Sequence, residues 1–141
     1  QENFASLHDK CNEKLSLFRD SDIIIYNGDD EEVCESVDCT LQSAREIAWS
    51  RIDSDKPLFI SSVQKEAETT QVRYCFLGFQ GSYTIPFTDD ASIENSIHCL
   101  AVCLYLHMRP EQIAQRMARL EPVAMRLEVK EGKNGCLSIF L

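Results

Sequence analysis

The amino-acid sequence predicts an α/β fold with a parallel-sheet core, flanking helices and a small antiparallel three-stranded segment. Residues 22–27, DIIIYN, form a short continuous apolar run, which is typical of a strand buried on both faces of a parallel sheet. Residues 57–87 are rich in β-branched and aromatic residues and are divided by polar or glycine-containing turns. The 141 residues, 44% of them hydrophobic, suffice for one domain with a core of its own.

The first part of the chain contains predicted helices on either side of the buried strand. A helix is expected over residues 4–19, where apolar residues recur at steps of three and four: Phe4, Leu7, Cys11, Leu15 and Phe18. The acidic turn GDDEE leads into a short helix at 30–36, because a helix N-terminus favours negative charge. A third helix is predicted near 41–51, with four apolar residues on one side: Leu41, Ala44, Ile47 and Ala48. Pro57 ends that region.

Three β-rich segments follow, and we interpret them as an antiparallel set of strands. They are PLFISSVQ at 57–64, QVRYCFLGFQ at 71–80 and SYTIPF at 82–87. The polar link KEAETT joins the first two as the end of a hairpin.

The last part of the chain begins with the most apolar helix, predicted over 91–107 with Asp89 or Asp90 as its N-cap. Apolar residues surround this helix on nearly all sides, so it is expected to be sandwiched in the core. A proline at a first-turn position starts another helix over 110–119. Residues 125–141, MRLEVKEGKNGCLSIFL, predict a hairpin with a glycine-containing turn.

Charge and cysteine content exclude several classes of function. The net charge of −9 leaves no broad electrostatic footprint for nucleic acid or for an anionic membrane. No apolar run approaches the ~20 residues of a membrane span, and the polar start is not that of a signal peptide. Seven cysteines without a CxxC pair indicate free thiols in a reducing cytosol. We therefore expect a cytoplasmic protein that binds neither nucleic acid nor membrane.

Two of these cysteines raise the alternative of a metal site. Cys99 and Cys103 lie one helical turn apart, and His98 and His107 are near them in the sequence. The expected burial of their helix argues against such a site, because a buried thiol acts as a small hydrophobe.

Lys14 is the unusual residue of the first predicted helix, because it falls within the apolar stripe, three residues after Cys11 and four before Phe18. A lysine on a buried stripe is costly unless it is paired or neutral. In one interpretation it reaches the rim of the core or pairs with an acid. In the other, burial favours the neutral, nucleophilic amine, which can react with carbon dioxide. The resulting carbamate offers oxygen ligands, which Mg²⁺ prefers.

Asn27, Asp29 and Asp30 directly follow the buried strand, in the segment NGDD. Ligands in open α/β sheets bind at the carboxyl ends of strands, so these residues could meet a nucleotide or a metal ion. The alternative is a plain polar turn. Asn95 and Arg126 also stand out, and their alternatives are a local cap and a surface salt bridge. The sequence contains neither a GxSxG segment nor a Walker A motif.

Four segments in a fixed order look like those of a known enzyme family: ENFASLHDKCNEKLSLF, DIIIYNGDDE, SIENSIHCLAVCLYL and LEPVAMRLEVKEGKNGC. Together they resemble the second half of the central ATPase domain of the Mur ligases. The nearest members are those that add D-Ala-D-Ala, including the form fused to an alanine racemase in Bacteroides-like bacteria. The resemblance implies a single partial domain over 1–141, the C-terminal half of that central domain without its P-loop half.

The resemblance also implies a role for Lys14 and for the NGDD segment. In this family a lysine on the corresponding helix becomes carbamylated and helps to bind Mg²⁺, and Lys14 in NEKLSLF matches it. Asn27, Asp29 and Asp30 match a family NxDD segment that lies near the nucleotide.

The remaining implied site residues are Asn95 and Arg126. Asn95 matches the second Asn of a family HNxxN motif, which contacts adenine, although Ala91 and Ser92 occupy the first two positions here. Arg126, followed by Glu128, matches the arginine of a family R-x-E segment that reaches ATP.

The reaction implied by the resemblance uses ATP and Mg²⁺. ATP phosphorylates the carboxylate of UDP-N-acetylmuramoyl-tripeptide, and the amine of D-Ala-D-Ala attacks the acyl phosphate to give an amide, ADP and phosphate. The family's P-loop, a metal-binding glutamate and a GEAH histidine are expected upstream of residue 1, and its C-terminal domain is not in this chain. We expect a piece of a longer enzyme that is inactive by itself.

Two alternative functions and one question of assembly remain open from the sequence. Another Mur ligase or a folylpolyglutamate synthase would share the same core, because acceptor choice depends largely on other domains. A non-catalytic interaction module of the same fold is the second alternative. The fragment could also form a dimer through an exposed sheet surface.

Overall fold

Five strands form one mixed sheet, and four helices pack against it within the described residues, 7–40 and 45–122 of this computed structural model. The strands are β1 (Ile23–Asn27), β2 (Arg45–Ser50), β3 (Leu58–Lys65), β4 (Thr70–Phe76) and β5 (Phe79–Ile85). The helices are α1 (Leu7–Ser16), α2 (Glu31–Thr40), α3 (Asp90–Tyr105) and α4 (Pro110–Met117). The strand order in the sheet is β1-β2-β3-β4-β5.

The sheet changes from parallel to antiparallel at β3. β1 and β2 run parallel along their whole length, as in the pair Ile25↔Ile47, with α2 as their crossover. β2 and β3 are also parallel, but they pair only at Trp49↔Leu58 and Ser50↔Phe59. β3 therefore continues past the carboxyl end of β2 and forms an antiparallel set with β4 and β5.

Leu77 and Gly78 form the two-residue turn between β4 and β5. Both have positive φ, 49° and 89°, and the flanking pair is Phe76↔Phe79. Two positive φ values in a two-residue hairpin loop are the signature of a type I′ turn, whose twist matches that of the strands. The Leu77 N–H donates to the Pro57 carbonyl at 3.2 Å, which anchors the turn beside the start of β3.

The two faces of the sheet have separate apolar cores. On one face α1 and α2 cover the parallel strands, with Leu15, Ile24, Tyr26, Val37 and Ala48 buried. On the other face α3 and α4 cover a larger core that extends from β2 to β5. Its members include Trp49, Leu58, Tyr74, Ile85, Ile97 and Leu100. The parallel strands are thus buried on both faces, as the apolar run in β1 predicts.

The sequence-based fold class is confirmed, and the capping prediction resolves to Asp89, whose carboxylate accepts the Ser92 N–H at 2.9 Å. The predicted helix at 41–51 is wrong, because Arg45–Ser50 is a strand. Four consecutive buried residues, 47–50, fill both faces of the sheet there. Such a continuous run does not alternate, so its apolar residues also fit a helical stripe.

Three further differences concern the boundaries and the burial of elements. α2 continues to Thr40 instead of ending at 36, and a turn at 77–78 divides the predicted strand 71–80. The expectation that α3 is buried all round is wrong, since Val102 is 44% exposed and Leu106, just after the helix, is 62% exposed. The predicted hairpin at 125–141 lies outside the described residues.

Candidate functional site

The turn after β1 lies at the carboxyl edge of the parallel strands and contains three of the predicted site residues. The Asn27 side-chain oxygen accepts the Asp29 N–H at 2.9 Å, which is an Asx-type turn. The Gly28 N–H donates to the Trp49 carbonyl at 2.7 Å. A Cβ at Gly28 would lie only 3.1 Å from that carbonyl oxygen, so glycine allows the turn to approach β2 closely.

Asp29 connects this turn to the loop after β2. One carboxylate oxygen accepts the Ser50 hydroxyl, and the other accepts the Arg51 N–H at 2.8 Å. The fully buried Ser50 oxygen in turn accepts the N–H groups of Ile52 at 2.9 Å and Asp53 at 2.7 Å. Both oxygens of Asp29 therefore hold protein groups, and the hydrogen bonds fix the loop after β2 against the turn after β1.

Asp30 begins α2. Its side-chain oxygen accepts the Val33 N–H at 3.2 Å and its carbonyl accepts the Cys34 N–H at 3.0 Å, which is the pattern of an N-cap. The Cys34 thiol donates to the Gly28 carbonyl at 3.4 Å. Burial raises the pKa of Cys34, and the nearby Lys56 ammonium opposes that rise. A positive side chain thus lies beside the acidic turn.

Lys14 is exposed in the last turn of α1, so the expectation that it lies on the buried face is wrong. Leu15 is the residue that enters the core, one turn after the half-buried Cys11. The buried face of α1 therefore follows the spacing from Cys11 to Leu15, and Lys14 points away from it. The expected burial of Lys14 is absent, and its role in a metal site stays a prediction.

Asn95 and Arg126 are the other two predicted site residues. Asn95 is half-buried on α3, three residues before His98. Residues three apart lie on the same side of a helix, so Asn95 is near His98. His98 contacts Trp49 of β2, and Ser50 of the same strand belongs to the Asp29 network. Arg126 lies outside the described residues.

Trp49 and His98 form a contact that the sequence did not reveal. The Trp49 indole N–H donates to the His98 Nδ1 at 3.2 Å, and the two rings meet edge-to-face with centroids 5.3 Å apart. With Nδ1 as acceptor, the neutral imidazole carries its proton on Nε2, which faces the Glu94 carboxylate at 4.0 Å. Burial lowers the pKa of His98, and Glu94 opposes that shift. The contact ties α3 to the end of β2.

The described residues bring Asn27, Asp29 and Asp30 together with Ser50, whereas Lys14 lies on a separate helix. Within 7–40 and 45–122, no group of three or more His, Cys, Asp or Glu side chains could hold a metal ion. No helix in the same part of the chain has the length and hydrophobicity needed to cross a membrane. The arrangement is a hydrogen-bonded polar edge whose described residues do not complete a metal site.

No protein-family model matches the chain, and no curated protein sequence matches it significantly. Solved structures do match. MurF from Acinetobacter baumannii shares 15% identity at a TM-score of 0.73, over 90% of this chain and 28% of that protein. A UDP-N-acetylmuramoyl-L-alanyl-D-glutamate–2,6-diaminopimelate ligase shares 12% identity at a TM-score of 0.72, over 87% of this chain and 26% of that ligase.

A folylpolyglutamate synthetase from Lactobacillus casei shares 10% identity at a TM-score of 0.65, over 86% of this chain and 32% of that enzyme. The chain therefore spans about a quarter to a third of the length of these structures. At such identities the likeness shows the fold, which is the predicted one of the Mur ligase central domain.

Proposed function

We propose that this chain is part of the central ATP-binding domain of a Mur-type ligase, which adds D-Ala-D-Ala to UDP-N-acetylmuramoyl-tripeptide through an acyl phosphate. The observation that supports the proposal most is the shared fold over nine-tenths of the chain. The order of the four family-like sequence segments supports it independently. The enzyme would work in the cytoplasm as part of peptidoglycan synthesis.

Within this proposal the polar edge at the ends of β1 and β2 lies beside the adenosine part of ATP. Among the described residues the turn uses only the oxygen of the Asn27 amide group, which leaves its N–H donors available to a ligand. Asp29 would act mainly by fixing the loop after β2, since Ser50 and Arg51 already occupy its oxygens. Asn95 would contact adenine and Arg126 would reach ATP, as in the matched motifs.

The Mg²⁺ part of the proposal depends on residues beyond those described. Lys14 is exposed and no described group of three ligands exists, so the described residues do not hold Mg²⁺ by themselves. A carbamylated Lys14 would supply one oxygen ligand, and further ligands would come from the preceding half of the domain.

Two other functions are supported by particular observations. A diaminopimelate-adding ligase and a folylpolyglutamate synthetase have nearly the same fold similarity to this chain as MurF. The amino acid or dipeptide that the enzyme adds therefore has to be determined by assay. A non-catalytic module is supported by the turn itself, because Asn27, Asp29 and Asp30 all have structural hydrogen bonds.

The test begins with the reading frame upstream of Gln1. A GxxGKT segment and a GEAH-type segment there would support the ligase, and a start codon directly before Gln1 would support the module. The whole encoded protein would then be assayed for ADP release with UDP-N-acetylmuramoyl-tripeptide and D-Ala-D-Ala, with diaminopimelate and folate–glutamate substrates as comparisons. ADP release with only one comparison pair would assign the enzyme to that class.

Lys14 provides the sharper test of the site. In the whole protein Lys14→Ala and Lys14→Arg are both expected to abolish activity, since arginine keeps the charge but does not form a carbamate under these conditions. Arg19 is another exposed cationic residue close to Lys14 in the sequence, so Arg19→Gln serves as the matched control. This variant is expected to keep full activity. Full activity of Lys14→Arg would remove the carbamate from the proposal. The 141-residue chain alone is expected to bind ATP weakly or not at all and to show no turnover.

A further inference from the structure

The outer side of α3 carries two cysteines on an open surface. Cys99 is exposed and Cys103 is half-buried. The buried residues of α3 face the sheet and α4, and the two cysteines lie at the border of that face, next to the exposed Val102 and Leu106. Cys103 also packs against the larger core. Burial of the whole helix, which argued against a metal site, is therefore not observed.

The spacing of the two cysteines suits one kind of metal coordination. Residues four apart on a helix have Cβ atoms about 5–6 Å apart. A metal held linearly by two thiolates needs sulfur atoms separated by about twice a metal–thiolate bond of ~2.3 Å, hence roughly 4.6 Å. Rotation about the side-chain bonds of Cys99 and Cys103 covers that difference.

The surroundings favour a soft cation that needs only two ligands. Within the described part of the chain no third His, Cys, Asp or Glu joins the pair to form a larger site. His98, the nearest imidazole in sequence, already accepts the Trp49 N–H through Nδ1. Structural zinc sites use four ligands, whereas Cu(I), which soft thiolates also favour, can be held by two.

Charge and polarity agree with the same ion. Two thiolates and one Cu(I) form a complex with one negative charge. Arg116 on the neighbouring helix α4 interacts electrostatically with Cys103, so its positive charge would also stabilise such a complex. Val102 and Leu106 give the pair apolar neighbours, which suit polarisable sulfur ligands.

We propose that Cys99 and Cys103 bind one Cu(I) ion in a linear two-thiolate site on the outer side of α3. On binding, the ion replaces the two thiol protons, which pass to solvent, and neither copper nor sulfur changes oxidation state. The site is distinct from the polar edge after β1 and does not depend on the ligase proposal.

An anaerobic competition with the coloured Cu(I)–bicinchoninate complex tests the site. The chain is expected to withdraw one equivalent of Cu(I), and Cys99→Ser and Cys103→Ser are each expected to lose that equivalent. Cys75→Ser on β4 is the matched control for a half-buried cysteine elsewhere. Cys11→Ser tests the rival pair of Cys11 with Cys34, which line the same smaller core. Both control variants are expected to withdraw one equivalent of Cu(I), as the unaltered chain does.

Three results would overturn the proposal. The first is no withdrawal of Cu(I) by the unaltered chain. The second is equal withdrawal by the Cys99 and Cys103 variants, which would mean adventitious binding to other thiols. The third is equally tight binding of Zn²⁺, which would contradict two-coordinate selectivity. Because Cys103 is half-buried, Cys103→Ala is a second variant, and circular dichroism of each protein confirms that a lost equivalent does not reflect unfolding.

Discussion

Leu77 has an unfavourable backbone conformation that a single substitution should relieve. Its φ of 49° belongs to the left-handed region, in which a side chain with a Cβ costs roughly 1–2 kcal/mol. The side chain is 76% exposed, so it gains little from packing in return. Asparagine tolerates this region and is the preferred first residue of a type I′ turn before glycine. We therefore expect Leu77→Asn to raise the free energy of unfolding.

The magnitude follows from two opposing contributions. Full burial of a leucine side chain stabilises by about 1.5–3 kcal/mol, so the small buried part of Leu77 contributes only about 0.5 kcal/mol. Asparagine retains a part of the backbone cost, so the substitution relieves about 1–1.5 kcal/mol and leaves a net gain of about 0.5–1 kcal/mol. The backbone N–H of residue 77 keeps its bond to Pro57 in the variant. At a urea m-value of about 2 kcal/mol/M, the midpoint of unfolding should rise by about 0.3–0.5 M.

Two control variants separate backbone strain from side-chain chemistry. Leu77→Ala removes the exposed side chain but keeps the Cβ, so its midpoint should not rise. Gly78→Ala places a Cβ at φ 89° and should lower the midpoint by an amount that corresponds to about 1 kcal/mol or more. Equal midpoints for Leu77→Asn and Leu77→Ala, or a lower midpoint for Leu77→Asn than for the unaltered chain, would refute the strain argument.

Three further predictions concern buried polar groups. Ser50→Ala leaves one carboxylate oxygen of Asp29 without its partner, so urea unfolding should show a loss of about 1–3 kcal/mol; an unchanged midpoint would contradict the network. The buried Ser36 hydroxyl has no hydrogen-bond partner among the described residues. Ser36→Ala should therefore leave the free energy of unfolding unchanged or raise it by up to about 1 kcal/mol, and a clear loss of stability would contradict an unpaired hydroxyl. Burial lowers the pKa of His98, so the unfolded state binds more protons and stability should decline as the pH falls below about 6.5. His98→Gln should weaken that decline, and parallel stability–pH curves would exclude His98 as its source.

The sequence was most informative where one physical signal dominated. The apolar run of β1 requires burial on both faces, and the acidic residues after it fit the start of α2. The cap of α3 could be narrowed to two aspartates, because a carboxylate before an apolar helix has few other local roles. These elements depend on neighbours in the sequence, so periodicity and capping rules suffice for them.

Other features depend on contacts between distant residues. Arg45–Ser50 is a strand because it lies between two parallel neighbours, and no local pattern distinguishes that from a helix. The network of Asp29 with Ser50 joins residues 21 positions apart, and the contact of Trp49 with His98 joins residues 49 apart. Lys14 shows that local patterns also have a limit. The apolar spacing of α1 does not determine whether Lys14 or Leu15 enters the core.

The short junction between β2 and β3 has a geometric consequence. Because these strands share only two paired positions, the sheet has a step at the carboxyl ends of β1 and β2. The hydrogen-bonded turn after β1 lies at this step, and β3 continues beyond it into the antiparallel set with β4 and β5.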